Sequence, residues 1–67
     1  MKAVSLHSVV PVRTEASETS EQITQMLFGE ICTIEEQKTR WIRVKLALDG
    51  QIGWVDAKMI APLSTDE

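Results

Sequence analysis

Cys32 and His7 are the sole thiol and imidazole of this 67-residue chain, so any nucleophile and base of its own would have to come from them. Their surroundings argue against that use. Cys32 stands in phase with Ile34 in an alternating apolar segment, where a thiol is buried and inert. His7 precedes the first apolar run in a Ser-containing stretch and reads as a solvated side chain. No Ser, His and Asp triad follows from the spacing. Glu35 and Glu36 are adjacent, so on a strand they point to opposite faces and cannot share an acid/base task. One cysteine excludes an internal disulfide, and one cysteine with one histidine falls short of a structural metal site. The chain is expected to be non-catalytic and to use no cofactor.

The remaining chemistry is that of two indoles, Trp41 in Trp41-Ile42-Arg43-Val44 and Trp54 in Gly53-Trp54-Val55. Each reads in two ways, as an amphipathic lid over a core or as a flat platform for a ligand. Between them lies a hairpin. Arg40 to Leu48 alternates, with Ile42, Val44, Leu46 and Leu48 on one face and Trp41, Arg43, Lys45 and Ala47 on the other. Asp49-Gly50 follows, a pair that accepts positive φ at little cost. A two-residue turn there pairs Leu48 with Gln51, Lys45 with Trp54, Val44 with Val55 and Arg43 with Asp56. Both indoles then share the outer face, and Arg43 faces Asp56 as a surface ion pair worth under ~1 kcal/mol. A three-residue loop would move Trp54 to the side of Val44.

The elements that must hold this hairpin are short strands. Val9, Val10 and Val12 surround Pro11, which predicts an irregular first strand with the proline at an edge or strand end. Thr14 to Gln22 is almost wholly Ser, Thr and Glu and predicts a long exposed loop. A short helical turn is the competing reading there, without apolar positions to anchor it. Ile23 to Phe28, closed by Gly29, predicts a second strand, and Glu30 to Glu36 a third. Asp56-Ala57-Lys58 predicts one tight helical turn before Met59-Ile60-Ala61 rejoins the sheet. Gly29 and Gly53 read as backbone devices, a tight turn and a close strand approach. The fold class is all-β, a small barrel of five to six short strands whose closure removes exposed edges.

Sixty-seven residues predict one domain, with a core at about 9–63 and a linker beginning at 64–67. A net charge of −3, from ten acidic and seven basic side chains, argues against a nucleic-acid partner. No stretch has the length and apolarity of a bilayer span or a secretory signal. A monomer is expected, cytoplasmic if Met1 is the native start and in the cell envelope if the chain is an excised domain.

Taken in order, Val10-Pro11-Val12-Arg13, the polar loop, Gln25-Met26-Leu27-Phe28-Gly29-Glu30, Trp41-Ile42-Arg43-Val44 and Gly53-Trp54-Val55-Asp56 resemble a bacterial SH3 (SH3b) domain. The resemblance spans roughly Val9 to Leu63 and is narrower than the fold. It is to the variant at the amino terminus of NlpC-type cysteine peptidases of the cell wall. What it implies is an SH3-like barrel belonging to a peptidase that cleaves the γ-D-glutamyl to diamino-acid bond of murein peptides. The catalytic cysteine and histidines would lie in a separate domain beyond residue 67. The barrel would line the substrate cleft, reading the free amino end of the peptide through an acid in the first loop and an aromatic just before Gly-Trp. These map to Glu15 and to Gln51, the latter a departure because Tyr followed by Glu is more usual than Gln51-Ile52.

The candidate binding residues are therefore Glu15, Trp41, Gln51 and Trp54, and the expected partners are a murein peptide, a carboxy-terminal catalytic domain, or both. The alternative is a stand-alone SH3-like peptide- or protein-interaction domain. A proline-rich ligand of that kind needs grooves lined by several aromatics, and this chain has no tyrosine and one phenylalanine.

Overall fold

Apolar side chains recur at every second position along most of the chain, and in the computed structural model, which describes residues 1–63, they meet on the concave side of one antiparallel sheet. Its strands are β1 (Lys2–Ser5), β2 (Val9–Arg13), β3 (Gln22–Leu27), β4 (Ile31–Gln37), β5 (Trp41–Leu46), β6 (Ile52–Asp56) and β7 (Ile60–Leu63), with a 3₁₀ turn at Ala57–Met59. The order across the sheet is β3-β2-β6-β5-β4-β1-β7. Ala3, Val10, Val12, Met26, Cys32, Ile42, Val44, Leu46, Val55 and Ile60 form one buried cluster, so all seven strands contribute to it. A sheet can bring both of its ends to one cluster only by curling on itself, and the result is an all-β SH3-like fold.

Two details differ from the expected barrel. The strands number seven, because Lys2–Ser5 pairs with both β4 and β7 and buries Ala3 and Ser5. Small residues and a serine give that strand little apolar signal, and the Ser5 hydroxyl is satisfied by donating to the His7 carbonyl at 3.0 Å. Closure is also incomplete, since among the described residues β3 and β7 pair on one side only. The second apolar segment is likewise less buried than its composition predicts. Met26 alone of β3 is in the core, while Ile23, Leu27 and the following Phe28 are exposed.

Pro11 shows why a proline can sit inside this sheet. Although β2 lies between β3 and β6, its described contact with β6 is the single pair Arg13↔Trp54, so at Pro11 the strand has a locally open side, on which a missing N–H costs no ladder bond. Gly53 has the opposite environment. A Cβ there would stand 2.5 Å from Val12 Cγ1 and 2.9 Å from the Arg13 carbonyl oxygen, so only glycine lets β6 pass this close to β2.

The β5–β6 hairpin is in a different register from the two-residue turn. The pairs are Trp41↔Asp56, Ile42↔Val55, Arg43↔Trp54, Val44↔Gly53 and Lys45↔Ile52, and the Leu46 amide donates to the Gln51 carbonyl at 2.8 Å. Residues 47–50 therefore form the loop. Gly50 has φ 76° and donates to the Leu46 carbonyl at 2.9 Å, while the Asp49 carboxylate accepts from the Gln51 amide at 3.1 Å. Asp49 itself keeps negative φ, which excludes the mirror-image turn that a two-residue loop needs. Leu48, expected on the inner face, leaves the strand and is 82% exposed. Because the loop gains two residues and each partner shifts by two, every side chain that remains in the ladder stays on its expected face.

Candidate functional site

On the outer face of this hairpin Trp41 stands beside Asp56, and Trp54 beside Arg43, with both indoles half-buried. They are diagonal neighbours across the ladder, about 7–8 Å apart at the backbone. Their surroundings are unequal. Trp41 forms part of a cleft of about 270 Å³ whose other walls are Pro11, Arg13, Glu18, Asp56 and Met59. Trp54 lies outside that lining, with the Lys38 ammonium 5.4 Å from its ring centre and Arg13 and Arg43 as its cross-strand neighbours. Each indole has one cation near its ring, and Trp41 is the one of the two that lines the cleft.

Each wall of the cleft has a local reason to be where it is. Asp56 caps the 3₁₀ turn, its Oδ1 accepting from the Lys58 amide at 2.9 Å, which leaves Oδ2 free to face the cleft. That second oxygen lies 3.5 Å from Arg40 Nε. The 14–21 loop is folded on itself rather than helical. The Thr14 amide donates to the Glu21 carbonyl at 2.9 Å, Arg13 donates to the Ser20 carbonyl at 2.9 Å, and the Ser20 hydroxyl donates to the Ser17 carbonyl at 2.8 Å. This arrangement projects Glu18 over the cleft, where its carboxylate pairs with Arg40. The Arg40 guanidinium also sits 5.8 Å from the Trp41 ring centre. The expected Arg43 to Asp56 pair is replaced: Asp56 is taken by Arg40, and Arg43 faces Glu36 at 3.7 Å across a β4 bulge.

The candidates from sequence are thus dispersed. Trp41 is in the cleft and Trp54 is on the same face beside it. Glu15 is exposed on the loop, where its carbonyl accepts from the Ser17 amide at 2.7 Å, but it does not line the cleft. Gln51 is exposed at the far end of the hairpin, five residues along β6 from the partner of Trp41, roughly 16 Å away at strand spacing. Glu18, Pro11, Arg13 and Met59 are the additions to the cleft, and Arg40 contacts three of its walls. Glu18 was hidden in a uniform Ser/Thr/Glu loop, whose internal hydrogen bonds decide which carboxylate points inward.

The catalytic reading of Cys32 finds no support in the geometry. Cys32 is fully buried opposite Leu46, and His7 is exposed. Burial pushes the thiol up to about 11, only partly offset by its hydrogen bond with the backbone of Ala3. Among the described residues there is no cluster of three or more His, Cys, Asp or Glu side chains suited to a metal ion, and no helix long and apolar enough to cross a membrane.

Comparison with known proteins is consistent with a small module found within longer proteins. The chain is 38% identical, over a 64-residue alignment covering 87% of it, to a teichoic acids export ATP-binding protein TagH of Bacillus cereus, of which the match covers 12%. The protein of the same name from Bacillus anthracis is 32% identical, with 85% of this chain and 11% of that one covered. The chain therefore spans about a tenth of the length of these curated relatives. No solved structure gives a significant match. The family model for the bacterial dipeptidyl-peptidase SH3 domain matches residues 12–60, which contain the end of β2, the polar loop, β3 to β6 and most of the cleft. The chain belongs to the bacterial dipeptidyl-peptidase SH3 domain family.

Proposed function

We propose that this non-catalytic SH3b module binds a short murein peptide in the Trp41 cleft, as the substrate wall or targeting element of a γ-D-glutamyl-diamino-acid endopeptidase of the cell wall. The observation that carries this reading is the cleft's composition. An indole, a proline and a methionine supply apolar walls, Glu18 and Asp56 supply negative charge, and Arg13 supplies positive charge within the same 270 Å³. A murein peptide has a free amino end and a γ-linked glutamate with a free carboxylate, and so offers one group to each sign. The family's own description, a dipeptidyl-peptidase SH3 domain, supports the same substrate class. In this reading the module acts in the cell envelope as a monomer beside a separate catalytic domain. Affinity for free peptide is weak, because a tethered partner supplies the effective concentration.

Titration with a murein dipeptide, followed by amide and indole resonances, tests this. Shifts confined to Arg13, Glu18, Trp41 and Asp56 are expected. Shifts at Glu15 and Gln51 in place of these, or none at millimolar ligand, would overturn it.

The TagH relatives favour a second reading. Their name is that of an export ATP-binding protein, and the module is a small fraction of each. A module of this kind can serve a parent that is not a peptidase, as an interaction domain for a peptide or protein segment in the envelope. The same titration with a peptide lacking γ-linked glutamate separates the two.

A further inference from the structure

Three of the residues that line the cleft already engage a cation. Arg40 reaches from the β4–β5 turn to pair with Glu18 of the long loop and with Asp56 at the end of β6, and its guanidinium lies beside the Trp41 ring. Two carboxylates from separate elements and one aromatic face are what an ammonium or guanidinium ligand requires. We propose that Arg40 is a built-in competitor, its guanidinium occupying a cation subsite made by Glu18, Asp56 and Trp41, and that a ligand's amino group binds by displacing it. This rests on the reading of the cleft as a peptide site whose carboxylates take the amino end, and adds what opposes that group.

Three features make displacement feasible. The Arg40 and Glu18 side chains are 51% and 61% exposed, so their pairing is screened and weak. The Arg40 backbone is anchored independently, its carbonyl accepting from the Ala57 amide at 2.9 Å, so the side chain can leave while the turn stays in place. Asp56 is the less exposed partner, its side chain 14% accessible, and is fixed by its hydrogen bond to the Lys58 amide. One wall of the subsite is thus rigid, while the other rides on the loop. Displacing Arg40 also releases the described ion pair between the 14–21 loop and the hairpin, so ligand entry and loop freedom are linked.

The test is isothermal titration of the full chain and of Arg40→Gln with a murein dipeptide bearing one amino group, and with its N-acetylated form. A screened surface pair holds the subsite closed for about half to about five-sixths of the time, so the variant is expected to bind the free-amine dipeptide about twofold to sixfold more tightly. The acetylated form should gain little. Equal or weaker binding by Arg40→Gln overturns the competitor role and leaves the cleft reading standing. Absence of binding by either protein to either form overturns both. Glu18→Gln provides an independent check, because losing one of the two carboxylates should reduce the preference for the free amine. A preference undiminished in that variant places the amino group elsewhere and also overturns the proposal.

Discussion

The two faces of the β5–β6 hairpin are built from the same ten or so residues and do different work. On the inner face Ile42, Val44, Gly53 and Val55 are buried and fit their neighbours closely, with Gly53 leaving no room for even a methyl group. On the outer face Trp41, Arg43, Trp54 and Asp56 are at least partly exposed and engage Arg40, Glu36 and Lys38 through weak ion pairs and cation–aromatic contacts. Strand alternation makes the division possible, since each strand can be rigid on one side and adaptable on the other. Stability should therefore track the inner face and recognition the outer.

The largest expected effect is at Gly53. Gly53→Val drives its side chain into Val12 and the Arg13 carbonyl, and urea unfolding should show loss of most or all of the few kcal/mol that a domain this size holds. A Gly53→Val protein that unfolds like the parent would refute the close approach of β6 to β2. Next is Leu46→Ala at the inner edge of β5, 4% exposed, which should cost about 2–4 kcal/mol and leave the position of ligand-induced shifts unchanged in whatever fraction stays folded.

Cys32 gives a pH signature of the inner face. Its folded-state ionisation near 11 lies above the ordinary thiol value of 9.0, so the unfolded chain releases this proton first. Stability from this group is complete below about pH 9 and declines as pH rises toward 11, by up to about 2 kcal/mol. Cys32→Ala should flatten that decline in urea midpoints taken from pH 8 to 11, and an unchanged slope in the variant would assign it to other groups.

The smallest stability effect belongs to the outer face. Arg43→Ala removes a 3.7 Å pair between half-exposed side chains and should change stability by under about 0.5 kcal/mol. A loss above 1 kcal/mol would show that the outer face is structural after all.

How much of this division was legible in the sequence depends on what each feature leaves in the residue pattern. Alternation in Trp41–Leu46 and Ile52–Asp56 assigned faces correctly even though the loop length was misjudged by two, because a slip of two preserves phase. The loop length itself was not readable. Asp49-Gly50 serves a two-residue turn and the end of a longer loop equally well, and the outcome is set by Gly50 donating to Leu46 and by Asp49 keeping negative φ. Lys2–Ser5 leaves little trace in the residue pattern because its inward residues, Ala3 and Ser5, are small. The proposed linker at 64–67 lies outside the described residues. Trp41 could be named from the sequence, whereas Glu18 reaches the cleft through loop folding and Arg40 reaches its walls through a long side chain, neither of which follows any periodicity.

The most direct test of the division is Trp41→Leu, with the urea midpoint and the affinity for a murein dipeptide measured on the same preparation. Leucine keeps an apolar cover on the hairpin and removes the aromatic face. The account predicts a stability within about 1 kcal/mol of the parent and at least a tenfold loss of dipeptide affinity. A protein that keeps its affinity, or one that unfolds while the surviving folded fraction binds as before, would contradict it.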